Sequence, residues 1–242
     1  MIRVESLSHS FQTHLILKEI NISVNEAEIL CVMGSSGGGK TTLLRCIAGL
    51  ITPSNGHIWV NNVNVRANPD QARKYLGMVF QSSALFDYLN VLDNVVFGLR
   101  RWSKLSRNDQ NVHAMSMIQR VGLDGSEKLM PSELSGGMKK RVSMARALAL
   151  EPKIMLYDEP TTGLDPVTTY AIDSLIRQLR DDLKITSLVV SHDLTSVFRV
   201  ADKVAFLDGG RLAYDGDVSG FRSSGVASIQ ELIKSSEAVF LR

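Results

Sequence analysis

The sequence is poor in cysteine, in charge of one sign and in long apolar runs, and each shortage removes a class of protein. Its two cysteines, Cys31 and Cys46, fall in apolar stretches where small buried thiols fit better than a disulfide, which points to a reducing compartment. The 27 lysines and arginines nearly balance 25 aspartates and glutamates, leaving +2 at pH 7, so no strong field suited to nucleic acid arises. No apolar run approaches the ~20 residues a helix needs to cross a bilayer. The opening MIRVESLSHS also lacks the basic-then-apolar order of a signal peptide, so a cytosolic or membrane-peripheral protein is expected. What the chain does have is apolar content, 44% of 242 residues, enough for the core of one sizeable α/β domain or two small ones.

The most specific stretch is 34–42, GSSGGGKTT. Its spacing, Gly-x-x-x-x-Gly-Lys-Thr, fits a phosphate-cradling loop, and its flanks agree: 28–33 (EILCVM) reads as a buried strand entering the loop and 41–49 as a helix leaving it. Gly34, Gly37, Gly38 and Gly39 let the backbone curl until consecutive N–H groups point at one anion, and the helix adds the positive end of its dipole. The predicted cradle therefore runs through Gly34, Ser35, Ser36, Gly37, Gly38, Gly39, Lys40, Thr41 and Thr42. Lys40 supplies a full charge for β- and γ-phosphates, and Thr41 a hydroxyl for Mg²⁺.

The remaining segments take their meaning from this loop. Residues 1–7 and 20–24 alternate as strands of a small antiparallel sheet; Phe11 between them is either a core residue or a ring that stacks on a purine. Residues 57–60 and 63–65 read as a hairpin, 69–75 as a short helix, and 77–80 as a strand stopping at Gln81, a candidate for the metal or the attacking water. From 82 to 150 the pattern is helical, with 90–102 at helical spacing and a capping box at Ser106 and Asp109 opening a helix to about Val121. Ser135 then caps a helix whose first turn holds Gly136 and Gly137. This is either an ordinary capped helix or a second anion-binding end, and with no second phosphate-loop lysine its phosphate would belong to another subunit's nucleotide.

Residues 153–157 (KIMLY) form an apolar strand ending in Asp158 and Glu159. Asp158 suits a contact to Mg²⁺ through water, and Glu159, facing the other way, suits the base that polarises the attacking water. Asp165 and Pro166 open a helix to about Leu183, and a buried strand over 185–190 delivers His192 to the same sheet edge as Gln81 and Glu159. Residues 203–207 and 211–214 read as a hairpin, and 215–242 as short amphipathic helices.

The ordered set GSSGGGKT, Gln81, LSGGM, IMLYDEP, GLD and SHD resembles the nucleotide-binding subunit of ATP-binding-cassette (ABC) transporters along essentially the whole chain. The resemblance implies a single α/β P-loop NTPase domain over 1–242: a RecA-like core, an antiparallel β subdomain, and a helical signature subdomain inserted at about 82–150. It implies two chains sandwiching two ATP molecules head to tail, a membrane permease as partner, and a place on the cytoplasmic face of the inner membrane. On that pattern Phe11 matches the adenine-stacking position, Gln81 the Q-loop, Ser135–Gly137 the signature, Glu159 the catalytic carboxylate, Asp165 the D-loop and His192 the switch histidine, with Gln81 and Asp158 beside Thr41 at the metal. Two departures stand out: Phe11 replaces the usual tyrosine, and Met138 the usual glutamine after the signature glycines.

Residues 129–141 (LMPSELSGGMKKR) and 82–95 (SSALFDYLNVLDNV) are further similar to ATPases of the MCE-associated, maintenance-of-lipid-asymmetry transporters, which implies phospholipid cargo and an MCE-domain partner. Other small-solute importers share the remaining motifs. A non-transport ATPase of this superfamily acting on nucleic acid would need features such as a long coiled-coil insert or a strongly basic segment, which the sequence does not offer. Leu85, Phe86, Tyr88 and Leu89, just after Gln81, are expected to dock on the permease if some of them face outward.

Overall fold

The computed structural model of the protein describes residues 1–35 and 37–240, so Ser36 of the predicted cradle and the last two residues of the predicted C-terminal helices lie outside the described residues.

Two sheets arise from two kinds of apolar pattern. Strand β1 (Ile2–Phe11) pairs antiparallel with β2 (His14–Val24) on one side and with β4 (Asn55–Val60) on the other, and β5 (Val63–Asn64) closes a sheet ordered β2-β1-β4-β5. Their alternation leaves one face polar and buries Ile2, Val4, Leu7, Ile22, Val24, Ile58 and Val60 on the other. Both first strands outrun the expected ranges, because pairing continues to a two-residue turn with Phe11 opposite His14.

The second sheet has continuous apolar strands, as a parallel sheet covered on both faces requires. It comprises β3 (Ile29–Gly34), β6 (Leu76–Val79), β7 (Ile154–Asp158), β8 (Thr186–Val190) and β9 (Lys203–Asp208), all parallel, with β10 (Arg211–Asp217) antiparallel at one edge, in the order β10-β9-β3-β8-β7-β6. Crossovers are made by α1 (Lys40–Ile47), α6 (Pro166–Leu183) and α7 (Leu194–Val200), and the short α2 (Pro69–Arg73) leads into β6. Within β3 the alternation splits the core: Ile29, Cys31 and Met33 pack with the helical side, and Leu30 and Val32 with the antiparallel sheet and α1. Cys46 belongs to the second of these clusters, so the main sheet separates the two free, buried thiols.

Between β6 and β7 the chain builds α3 (Val91–Trp102), α4 (Arg107–Arg120) and α5 (Gly136–Leu148). Asn90, Ser106 and Ser135 cap them by accepting from Asp93 N, Asp109 N and Met138 N. In the stretch expected to be helical from 82, helix begins only at Val91. Residues 82–90 are irregular, with Ser83 and Ala84 at positive φ, because the buried Asn94 amide pairs with Phe86 N and with the carbonyls of Phe86, Leu89 and Asn90. Those backbone groups are satisfied without helical bonds. At the other end, β10 runs to Asp217 before α8 (Val218–Arg222) and α9 (Ala227–Phe240), so helix starts a little later than expected. No helix among the described residues is long and apolar enough to cross a membrane.

Candidate nucleotide site

Parallel strands present their carboxyl ends to one edge, where open α/β sheets bind ligands. Here β3 delivers Gly34, β6 leads to Gln81, β7 delivers Asp158 and Glu159, and β8 leads to His192. Gly34 has φ 145° and lies against Leu207 O, where any Cβ would collide, so only glycine lets the chain leave β3 here. The loop ends at Gly39, with φ 91°, and α1 starts at Lys40 with its free N–H groups at the cleft floor.

The cleft measures about 450 Å³ and is lined by Phe11, Ile16, residues 37–42, Gln81, Glu159 and His192. Lys40 is buried, and its Nζ donates to Gly34 O at 2.8 Å and Ser35 O at 2.9 Å, so the loop holds its own lysine in place. Burial lowers the ammonium's pKa, while nearby Glu159 and Asp158 act to keep it charged. Phe11 is 48% exposed at the cleft rim, which rules out the core alternative, and His9 packs edge-on to it at 4.6 Å between centroids.

Thr41 Oγ1 donates to Asp158 Oδ1 at 3.0 Å. Burial raises the pKa of Asp158, and the Thr41 hydroxyl and the charge of Arg45 act against that rise. A hydroxyl next to a carboxylate is the hard-oxygen donor set that suits Mg²⁺, an ion that keeps waters and takes phosphate oxygens rather than needing a full protein cage. Among the described residues no group of three or more His, Cys, Asp or Glu is placed to hold a metal ion.

Glu159 sits at φ 50°, a left-handed conformation that a non-glycine residue keeps only where its surroundings hold it. Its N–H donates to Val190 O at 3.0 Å, and its Oε2 accepts from Thr162 Oγ1 at 2.9 Å and lies 2.7 Å from His192 Nδ1. Thr162, Ile16 and the buried Lys140 carry no motif signal, and sequence reasoning passes over all three. Thr162 stood three residues past Glu159 in a turn, the one position from which its role could have been guessed.

Ser135, Gly136, Gly137 and Asp165 do not line this cleft. Ser135 and Gly136 are exposed at the start of α5, and Gly137 lies so close to Thr168 that a Cβ would strike its methyl group. Asp165 caps α6, accepting from Val167 N and Thr168 N at 3.0 Å and from the Thr168 hydroxyl, which together hold its carboxyl below the usual range. The beginnings of α5 and α6 thus form one surface away from the nucleotide cleft.

A parallel sheet opening onto a glycine loop, a buried lysine and an acid pair defines a P-loop nucleoside triphosphatase. A model of the ABC transporter family matches residues 17–162. The chain belongs to that family, as an ATP-binding and ATP-hydrolysing subunit. It is 41% identical to the intermembrane phospholipid transport system ATP-binding protein MlaF of Haemophilus influenzae, over 84% of this chain and 78% of that one. It is 38% identical to the arginine transport ATP-binding protein ArtM of Bacillus subtilis, over 91% and 93%. Among solved structures, the dimeric post-hydrolysis state of the ATP-binding cassette MJ0796 with ADP and Pi matches with a TM-score of 0.82 at 28% identity, covering 90% of this chain and 99% of that one.

Proposed function

We propose that two copies of the chain close head to tail on two ATP molecules and power phospholipid transport by a membrane permease, together with an MCE-domain protein, at the cytoplasmic face of the inner membrane. The observation that carries the motor reading is the division of the site. Lys40, Thr41, Gln81, Glu159 and His192 share one cleft, while the capped end at Ser135 is exposed outside it. Each half is completed by the other half of a second copy.

In this reading the cradle N–H groups and Lys40 bind the β- and γ-phosphates, and Phe11 stacks on the adenine. Glu159 takes the proton of the attacking water, with His192 and Thr162 holding its carboxylate, and Gln81 faces the γ-phosphate. Thr41 and Asp158 would hold Mg²⁺, which would supply neutralisation of the charge that develops on the phosphate oxygens.

Phospholipid as cargo rests on the similarity to the Haemophilus protein, whose name states that activity. The similarity to an arginine transport subunit favours a second reading, an importer motor for a small solute. The permease-facing surface is the segment after Gln81. Tyr88 is 73% exposed, Phe86 is half-buried against the Phe97 ring at 4.4 Å, and Leu85 packs towards the helical core. An exposed Tyr88 beside a half-buried Phe86, next to a γ-phosphate sensor, suits a docking site. Replacing Phe86 and Tyr88 with serine should leave the chain folded and ATP-binding but free of its membrane partner, with loss of outer-membrane lipid asymmetry in cells. Normal co-purification with the permease overturns the docking, and unchanged lipid distribution after gene deletion overturns the cargo.

A further inference from the structure

Lys140 stands in the second turn of α5 and is 4% exposed. A lysine is kept at such depth only when its ammonium is paired. Its partners are two backbone carbonyls, Gln81 O and, at 3.3 Å, Glu159 O. These lie just past the ends of the neighbouring strands β6 and β7, and both residues line the nucleotide cleft. Burial disfavours the charge on Lys140, and Asp158 and Glu159 favour it.

The rest of α5 reinforces half of this arrangement. Arg146 donates to Ala84 O at 2.7 Å and Ser83 O at 3.1 Å, so the helix grips the 81–84 turn at three carbonyls. Lys140 also reaches across to the residue that follows β7, whose backbone is held at φ 50°. Removing its ammonium would take away the donor that Gln81 O and Glu159 O share, leaving Glu159 O to Thr162 N at 3.3 Å alone and loosening the hold on the Glu159 peptide.

We propose that Lys140 is a positioning residue that joins α5 to both Gln81 and Glu159, so that a shift of the helix carrying Ser135 is passed to the base of the same chain's own site. In a head-to-tail pair this links the two ATP sites, since the end of α5 faces one nucleotide and Glu159 the other. The inference rests on the proposed role of Glu159 and on the proposed pairing of chains.

The test uses the purified full chain carrying Lys140→Met, Lys140→Gln or Lys140→Arg, each alone and combined with Glu159→Gln. Melting temperature, ATP affinity, kcat and KM are measured. Lys140→Met should lower kcat about tenfold or more with KM within about twofold, the pattern of a group acting in the transition state. Lys140→Arg, still able to donate to both carbonyls, should recover most of the rate. In the Glu159→Gln background Lys140→Met should change residual turnover by less than about twofold, because the group it positions is already gone. A folded Lys140→Met with native kcat, or losses that multiply in the double variant, would overturn the proposal. If Lys140→Met does not fold, Lys140→Gln decides by the same two criteria. Normal hydrolysis by Glu159→Gln alone would instead bring down the site assignment, and the inference with it.

Discussion

His192 Nδ1 and Glu159 Oε2 lie 2.7 Å apart although 33 residues separate them in the chain. The parallel register brings them together: Asp158 is opposite Val190 in the β7–β8 ladder, so the residues leaving the two strands start level. A carboxylate only accepts, so the ring donates to it through Nδ1–H. With Thr162 Oγ1 on the same oxygen, Oε2 is occupied, while no hydrogen bond among the described residues engages Oε1.

Glu159→Gln is therefore expected to keep ATP binding while lowering turnover by about two to four orders of magnitude, the usual contribution of a positioned base. Phosphate release measured beside nucleotide titration checks this. Near-native hydrolysis would remove Glu159 from the role.

A shared site predicts complementation. Lys40→Ala and Ser135→Arg should each be nearly inactive alone, yet their mixture should regain activity, because one of the two composite sites in a mixed pair has all its native residues. If mixed pairs form and remain inactive, the sites either lie within single chains or turn over only together.

Phe11→Ala should weaken ATP binding by about 5- to 150-fold, the equivalent of ~1–3 kcal/mol for a stacked base, and leave kcat nearly unchanged. Phe11→Tyr should bind as the native chain does. Calorimetric titration separates the outcomes, and an unchanged affinity in Phe11→Ala would place the adenine elsewhere.

The cysteines predict an alkaline limit to stability. Burial pushes the Cys46 thiol from 9.0 up to about 12, and burial with the charges of Asp173 and Asp202 raises that of Cys31 further. Above about pH 9 the unfolded chain loses these protons while the folded chain keeps them. This contribution is therefore complete below pH 9 and declines as pH rises towards 12, at up to ~1.4 kcal/mol per pH unit for each thiol. Urea titrations of the native chain and Cys46→Ala across that range should give a shallower decline in the variant. Native thiols should also resist a thiol reagent at about pH 8, and rapid labelling without denaturant would contradict the burial.

The local chemistry of this protein is written in the sequence. The glycine loop needs residues free of Cβ at particular turns, the buried strands need unbroken apolar runs, and the helix starts at Asn90, Ser106, Ser135 and Asp165 carry caps that work within three residues. Such features depend on near neighbours, so Lys40, Thr41, Asp158, Glu159 and His192 could be singled out from the chain alone. Tertiary structure decided what depends on distant partners. It placed Phe11 at the cleft rim, kept 82–90 out of helix through the Asn94 amide, and set Thr162 and His192 on the same carboxylate oxygen. It also gave Lys140 its meaning: in sequence it is one of two adjacent lysines on a helix, and only folding puts its ammonium against carbonyls 59 and 19 residues away. A hydrogen bond of that kind has no period and no spacing, so no pattern in the chain announces it.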